Sequence, residues 1–112
     1  MNAHRSEVAR LAKELTDDVM CDGFHGWLLN EPDDPSAALV ALDEIGASRA
    51  AAIVRRAFAK FPGGKPPADQ AERESALGGI RDESGRFAAE DQDFFKYPDD
   101  VFKLADEYEA TE

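Results

Sequence analysis

The sequence predicts an all-α fold, a single compact domain over residues 1–112 built of about six or seven short helices. Three observations carry that expectation. Apolar residues recur at three- and four-residue steps, as in Val8, Leu11, Ala12, Leu15 and Val19, which gathers them on one face of a helix. Glycine and proline cut the chain at regular intervals, at Gly23, Pro32, Pro35, Gly46 and the run "PGGKPP". Nowhere does apolar and polar alternate with a period of two long enough to suggest a strand.

Each element follows from its residues. The first helix is expected from Ser6 to about Asp22, with Ser6 as N-cap and Glu7 in the first turn. Gly23 stops it, because glycine tolerates the positive φ that closes a helix. "FHGWLLN" reads as a short buried helix that ends at Asn30. Asp34 and Pro35 open the next as N-cap and first helical residue; Leu39, Leu42 and Ile45 face the core, and Gly46 ends it. Ser48 is the expected cap of "RAAAIVRRAFAKF", whose apolar arc of Ala50, Ile53, Val54, Ala57, Phe58 and Phe61 adjoins a basic stripe of Arg49, Arg56 and Lys60. After "PGGKPP", the segment "ADQAERESALGGI" gives a fifth helix, "RDESGR" a turn, and the tail one short and one better helix. In the last, Val101, Leu104, Ala105 and Tyr108 face inward while Asp99, Asp106 and Glu107 face out.

Composition narrows the function. Hydrophobic residues make up 43% and aromatics 9% of 112 residues, enough for one core. The single cysteine fits a reducing compartment, and no apolar run approaches the ~20 residues of a membrane helix; the expected location is the cytoplasm. Against 24 acids stand 13 Lys and Arg, for a net charge of −11. Such a surface repels nucleic acid and anionic membranes and attracts basic partners. The charge is uneven: residues 1–44 hold ten acids and three bases, 45–65 five bases and no acid, and 66–112 fourteen acids and five bases.

Catalytic and metal-binding readings fare poorly. Cys21 and His25 are four apart with Asp22 between them, but zinc needs three or four ligands and the other histidine, His4, sits near the N-terminus. A calcium loop begun at Asp18 finds Asp22 and Gly23 in place, yet meets Met20 at its third position and Leu29 where the bidentate glutamate belongs. Gly63-Gly64-Lys65 lacks the phosphate-loop spacing and a preceding strand. Cys21 with His25 is the one candidate nucleophile–base pair, with no third orienting group in view. No metal and no cofactor is expected, and no catalytic residue. The acids remain: Asp17, Asp18 and Asp22, then Glu31, Asp33 and Asp34, and in the tail Glu90, Asp91, Asp93, Asp99, Asp100, Asp106 and Glu107. Their bland reading is a set of solvated helix faces; their functional reading is a surface for a basic protein.

Four spaced elements resemble one known family. "GFHGWLLN" supplies Gly23, Phe24, Gly26, Trp27, Leu28 and Asn30; "IGA" supplies Ile45, Gly46 and Ala47. A Phe-Pro turn with following Pro, Asp and Arg falls on Phe61, Pro62, Pro67, Asp69 and Arg73, and an aromatic pair with a late tyrosine on Phe94, Phe95 and Tyr108. Over about residues 20–110 this is similar to a family of small bacterial helical domains that takes its name from a DNA-mimic protein. The chain departs from the family pattern where Cys21 and Asp22 replace Asn-Gly, Gly26 a polar residue and Leu28 an aromatic. The signature reads as structural: Gly23 turns the chain, Phe24 and Trp27 enter the core, and Asn30 hydrogen-bonds backbone at a helix end.

The resemblance implies a non-enzymatic domain whose carboxylates stand in for DNA phosphates on the basic surface of a transcriptional regulator. DNA-binding proteins draw their non-specific affinity from Lys and Arg meeting phosphates, and rigid carboxylates engage the same groups. A symmetric homodimer would extend the charged track. Three alternatives stay open: an immunity- or antitoxin-like partner of a basic nuclease, an accessory domain with no mimicry, and a small enzyme or ligand-binding domain around Cys21 and His25. Neutralising Asp99, Asp100, Asp106 and Glu107 together is expected to weaken partner binding in a domain that still folds.

Overall fold

In the computed structural model, which describes residues 3–80 and 87–110, a long helix broken at one glycine forms the axis on which the others pack. This helix, α1, runs Ala3–Asn30. Its buried stripe is Val8, Ala9, Ala12, Leu15, Thr16 and Val19, then Phe24, Trp27 and Leu28. At Gly23 the backbone takes φ 74° and ψ 177°, outside helical space. The break stands where the sequence places it, but the conformation is not the left-handed helical one: positive φ with extended ψ is a region essentially reserved for glycine. The helix also begins three residues earlier than Ser6. That serine does not cap it; its hydroxyl donates to Glu109 Oε2 at 2.8 Å and ties the first turn to the last helix.

Five further helices follow among the described residues: α2 (Ser36–Glu44), α3 (Ser48–Phe58), α4 (Gln70–Gly79), α5 (Ala88–Phe95) and α6 (Val101–Ala110), with one 3-10 turn at Pro62–Gly64 between α3 and α4. No strand occurs among the described residues, and the fold is all-α. The expected "RDESGR" turn, residues 81–86, lies outside the described residues. α1 packs against α2, α4, α5 and α6, and α3 against α2 and α5.

The helix ends explain much of the signature. Pro35 already has helical dihedrals, and Asp34 Oδ1 accepts the Ser36 N–H at 2.9 Å, so Asp34 caps α2 from the position expected. At the other end Gly46 has φ 83°, its N–H donates to Asp43 O at 3.2 Å, and Ala47 N–H donates to Leu42 O at 2.9 Å. That is the two-bond left-handed stop for which glycine is favoured, and it accounts for Ile45-Gly46-Ala47. Asp69 Oδ2 accepts the Glu72 N–H and caps α4. Ser48 does not cap α3, which has no side-chain cap of its own; the cap comes from another part of the chain, as described below.

The core joins these elements through aromatics. Trp27 stacks on Phe58 with ring centroids 6.2 Å apart and planes at 9°. Phe24 meets Phe94 edge-on at 5.5 Å, and Phe87 lies tilted against both Phe24 and Phe61. Each fully buried ring of this kind contributes roughly 1.5–3 kcal/mol from area removed from water. Phe61, expected in the basic helix, is buried instead in the turn just after it, where Pro62 follows.

Candidate protein-binding surface

The thirteen acids proposed from the sequence fall into two structural groups, with Asp34, the cap of α2, belonging to the first. The first holds the fold together. Asp91 Oδ1 accepts the Phe24 N–H at 2.8 Å, so a carboxylate from α5 caps the helical segment that restarts after Gly23. Asp99 Oδ2 accepts both Arg49 N–H and Ala50 N–H at 2.8 Å. This is the cap of α3, supplied from the α5–α6 connection. Asp100 Oδ1 accepts the Lys103 N–H at 3.2 Å and the Tyr97 hydroxyl at 2.9 Å, while that hydroxyl accepts the Phe102 N–H. Tyr97, with φ 54°, is thereby held where a non-glycine residue seldom stays.

Ion pairs occupy most of the remaining tail. Glu90, 5% exposed, lies between Lys60 Nζ at 2.6 Å and Arg56 at 3.5 Å. Asp93 pairs with Arg56 at 2.8 Å, which holds its carboxyl below the ordinary range. Lys13 reaches Asp106 at 2.5 Å, and Lys103 lies 4.0 Å from Glu107. Asp43 pairs with Arg55. The bases of α3 thus go largely to acids of α2 and α5. Exposed pairs of this kind add little stability, but they set which carboxylates keep their charge unopposed.

The second group is Asp17, Asp18, Asp22, Glu31 and Asp33. Asp17, Asp18, Asp22 and Asp33 are exposed and Glu31 half-buried, and none forms an ion pair with a described residue. From Glu14 to Ser48 the sequence contains no lysine or arginine at all. Glu31, just past the end of α1, lies within electrostatic reach of Asp18 in its middle. Crowding by neighbouring atoms, and then the like charges of Glu31, Glu14, Asp22 and Asp17, hold the Asp18 carboxyl above its ordinary range. Glu14 bounds the patch, paired with Arg10 at 2.8 Å.

Beneath the loop after α1 lies Arg73, 0% exposed. Its guanidinium donates to backbone carbonyls: Leu28 O at 2.6 Å, Pro67 O at 3.0 Å, Ala68 O at 3.2 Å, Asp33 O at 3.5 Å, and Glu31 O. Burial draws its pKa down while Glu31, Asp34 and Asp69 oppose that. Gln70 Nε2 takes Leu29 O at 3.0 Å. The expected role of Asn30 is corrected here: it is exposed, and the open carbonyls at this helix end go to Arg73 and Gln70 instead. Tyr108 is half-buried, under the Arg5 guanidinium at 4.5 Å and donating to Glu44 at 2.7 Å.

The same description covers the alternatives. Cys21 is exposed, and Gly23 interrupts the helix between it and His25, so their four-residue spacing does not make them helical neighbours. Among the described residues no three His, Cys, Asp or Glu side chains form a metal-holding group. Two surface grooves of about 300 and 280 Å3 are lined by Ser6, Arg10, Lys13 and Glu109 in one and Arg5, Leu104 and Tyr108 in the other; neither is lined by Cys21 or His25. Among the described residues no helix is long and apolar enough to cross a membrane.

With these positions in place, comparison with known proteins is informative. A family model described as DMP19-like protein matches residues 6–112. The chain belongs to this family. It is the DNA-mimic family whose signature Gly23-Phe24, Ile45-Gly46-Ala47, Phe61-Pro62 and Arg73 carry, and those residues are turns, helix stops and core in this fold. No curated protein and no solved structure matches the chain.

Proposed function

We propose that the chain is a non-enzymatic protein-binding domain, working in the cytoplasm, that presents carboxylates in place of DNA phosphates to the basic DNA-binding surface of a transcriptional regulator. The observation that carries this reading is the unpaired acidic face of α1 and the loop after it, Asp17, Asp18, Asp22, Glu31 and Asp33. The tail acids, by contrast, are occupied in caps and ion pairs. Family membership supports the mode of action.

The magnitudes are compatible. Four-residue steps such as Asp18 to Asp22 rise about 6 Å along a helix. Duplex DNA carries one charge per roughly 1.7 Å of axis, so the molecule's longest extent of 43 Å corresponds to roughly 25 phosphates. The whole chain has 24 acids and net −11, so a single copy imitates only a short stretch of duplex. A symmetric pair would lengthen the track. Carboxylates that form no ion pair with a described residue, on a helix pinned by four neighbours, meet the need for rigid charge.

The test is a tagged pull-down from lysate of the source cell with and without excess duplex DNA. Capture of a DNA-binding regulator that DNA releases, and that salt weakens, is the expected result. Capture of a basic nuclease would establish the immunity-like alternative in its place, and a partner indifferent to DNA would remove mimicry.

A further inference from the structure

Every donor contact of the buried Arg73 guanidinium goes to a main-chain carbonyl, two of them belonging to acidic residues, Glu31 and Asp33. The guanidinium makes no hydrogen bond to the carboxylates of those residues. Glu31 Oε1 accepts the Asp33 N–H at 3.1 Å and Asp34 Oδ1 the Ser36 N–H at 2.9 Å. This is an unusual use of arginine in an acidic protein. Arg10, Arg55 and Arg56 all pair with carboxylates directly. Arginine's planar fork suits several fixed acceptors at once, and a lysine ammonium does not reproduce it.

We propose that Arg73 is a positioning residue for the acidic face: it fixes the backbone of the loop after α1 through Glu31 O and Asp33 O without hydrogen-bonding the loop's carboxylates, so that Glu31 keeps its place near Asp18. The proposal rests on the reading of that face as the partner surface. Its consequence is preorganisation: a partner meets carboxylates already in place and does not have to order the loop on binding.

The test follows the Asp18 carboxyl by NMR titration in the unmodified chain, Glu31→Gln and Arg73→Lys. Removing the Glu31 charge lowers the Asp18 midpoint. Arg73→Lys, folded by its amide spectrum, is expected to lower it by a similar amount, although no charge has been removed. A midpoint that moves in Glu31→Gln and stays put in Arg73→Lys overturns the proposal. Should Arg73→Lys fail to fold, backbone order parameters of Glu31 and Asp33 in the unmodified chain decide: values near about 0.85 support it and values under about 0.6 overturn it. A synthetic decalysine peptide separates the two levels. If the unmodified chain binds it, Arg73→Lys should lose the same fraction of affinity as Glu31→Gln. If the unmodified chain does not bind it, the partner reading fails alone, because the titration involves no partner.

Discussion

Asp99 reaches across fifty positions of sequence to cap α3, its Oδ2 accepting the N–H groups of Arg49 and Ala50 at 2.8 Å each. A residue that reads from the sequence as part of an acidic display is one of the bonds that close the fold. Asp99→Ala is expected to cost about 1–2 kcal/mol, the usual worth of a helix N-cap. Ser48→Ala, at the locally expected cap, should stay within about 0.5 kcal/mol. Urea denaturation of the two variants checks both, and a larger loss at Ser48 would reverse the assignment.

The tail acids therefore cannot be truncated as one block without touching the fold. Asp99 and Asp100 cap helices, whereas Asp106 and Glu107 make exposed pairs with Lys13 and Lys103. We expect Asp99→Ala/Asp100→Ala, which removes both capping oxygens, to lower the melting temperature and Asp106→Ala/Glu107→Ala to leave it nearly unchanged. Thermal melts of the two doubles at equal salt measure the difference.

Two departures from the family pattern, at positions 22 and 26, are expected to compensate each other. A Cβ placed on Gly26 would sit 2.5 Å from the Asp22 Cβ. The resemblance implies glycine at position 22 and a polar side chain at 26, so this chain carries the bulk at 22 instead. Gly26→Gln should destabilise the domain by about 1–3 kcal/mol, as overpacking does. Asp22→Gly added to it should recover most of the loss. A double-mutant cycle by chemical denaturation reads the coupling, and additive losses would refute it.

Asp18 makes a pH-dependent expectation. Crowding and like charges raise its folded-state pKa above that of the unfolded chain. The folded state then binds this proton more tightly, so ionised Asp18 opposes folding at neutral pH and the penalty disappears below about pH 4, the ordinary carboxylate range. Asp18→Asn should raise the melting temperature at pH 7 in low salt. The gain should close toward acid pH and shrink at high salt, which screens the like charges but leaves the cost of burial. It should also weaken binding to a basic partner, the trade expected where stability is given up for function.

What the sequence could reveal followed from the reach of each interaction. The Gly23 break, the Asp34 cap and the Gly46 stop are local, set by residues within a few positions, and they are found where expected. Asp91 on Phe24 and Asp99 on Arg49 join positions 67 and 50 apart; no spacing rule exposes them. A carboxylate that caps a distant helix looks, in sequence, the same as one that faces water. Arg73 was visible as a signature residue, but its five carbonyl acceptors come from two separate stretches, residues 28–33 and 67–68, and only the folded chain assembles them. One signal toward the α1 face was present throughout: the absence of any lysine or arginine from residue 14 to residue 48.

The most direct measurement compares two charge-neutralised chains in capture of the DNA-binding partner, each with and without competing duplex DNA. Asp17→Asn/Asp18→Asn/Asp22→Asn/Glu31→Gln removes four of the five charges of the unpaired face; Asp106→Asn/Glu107→Gln removes two paired acids of the tail. We expect the first to stay folded and lose DNA-competable capture, and the second to retain it. Full capture by the first variant, or equal loss in both, would contradict the assignment of the α1 face as the surface that takes the place of DNA.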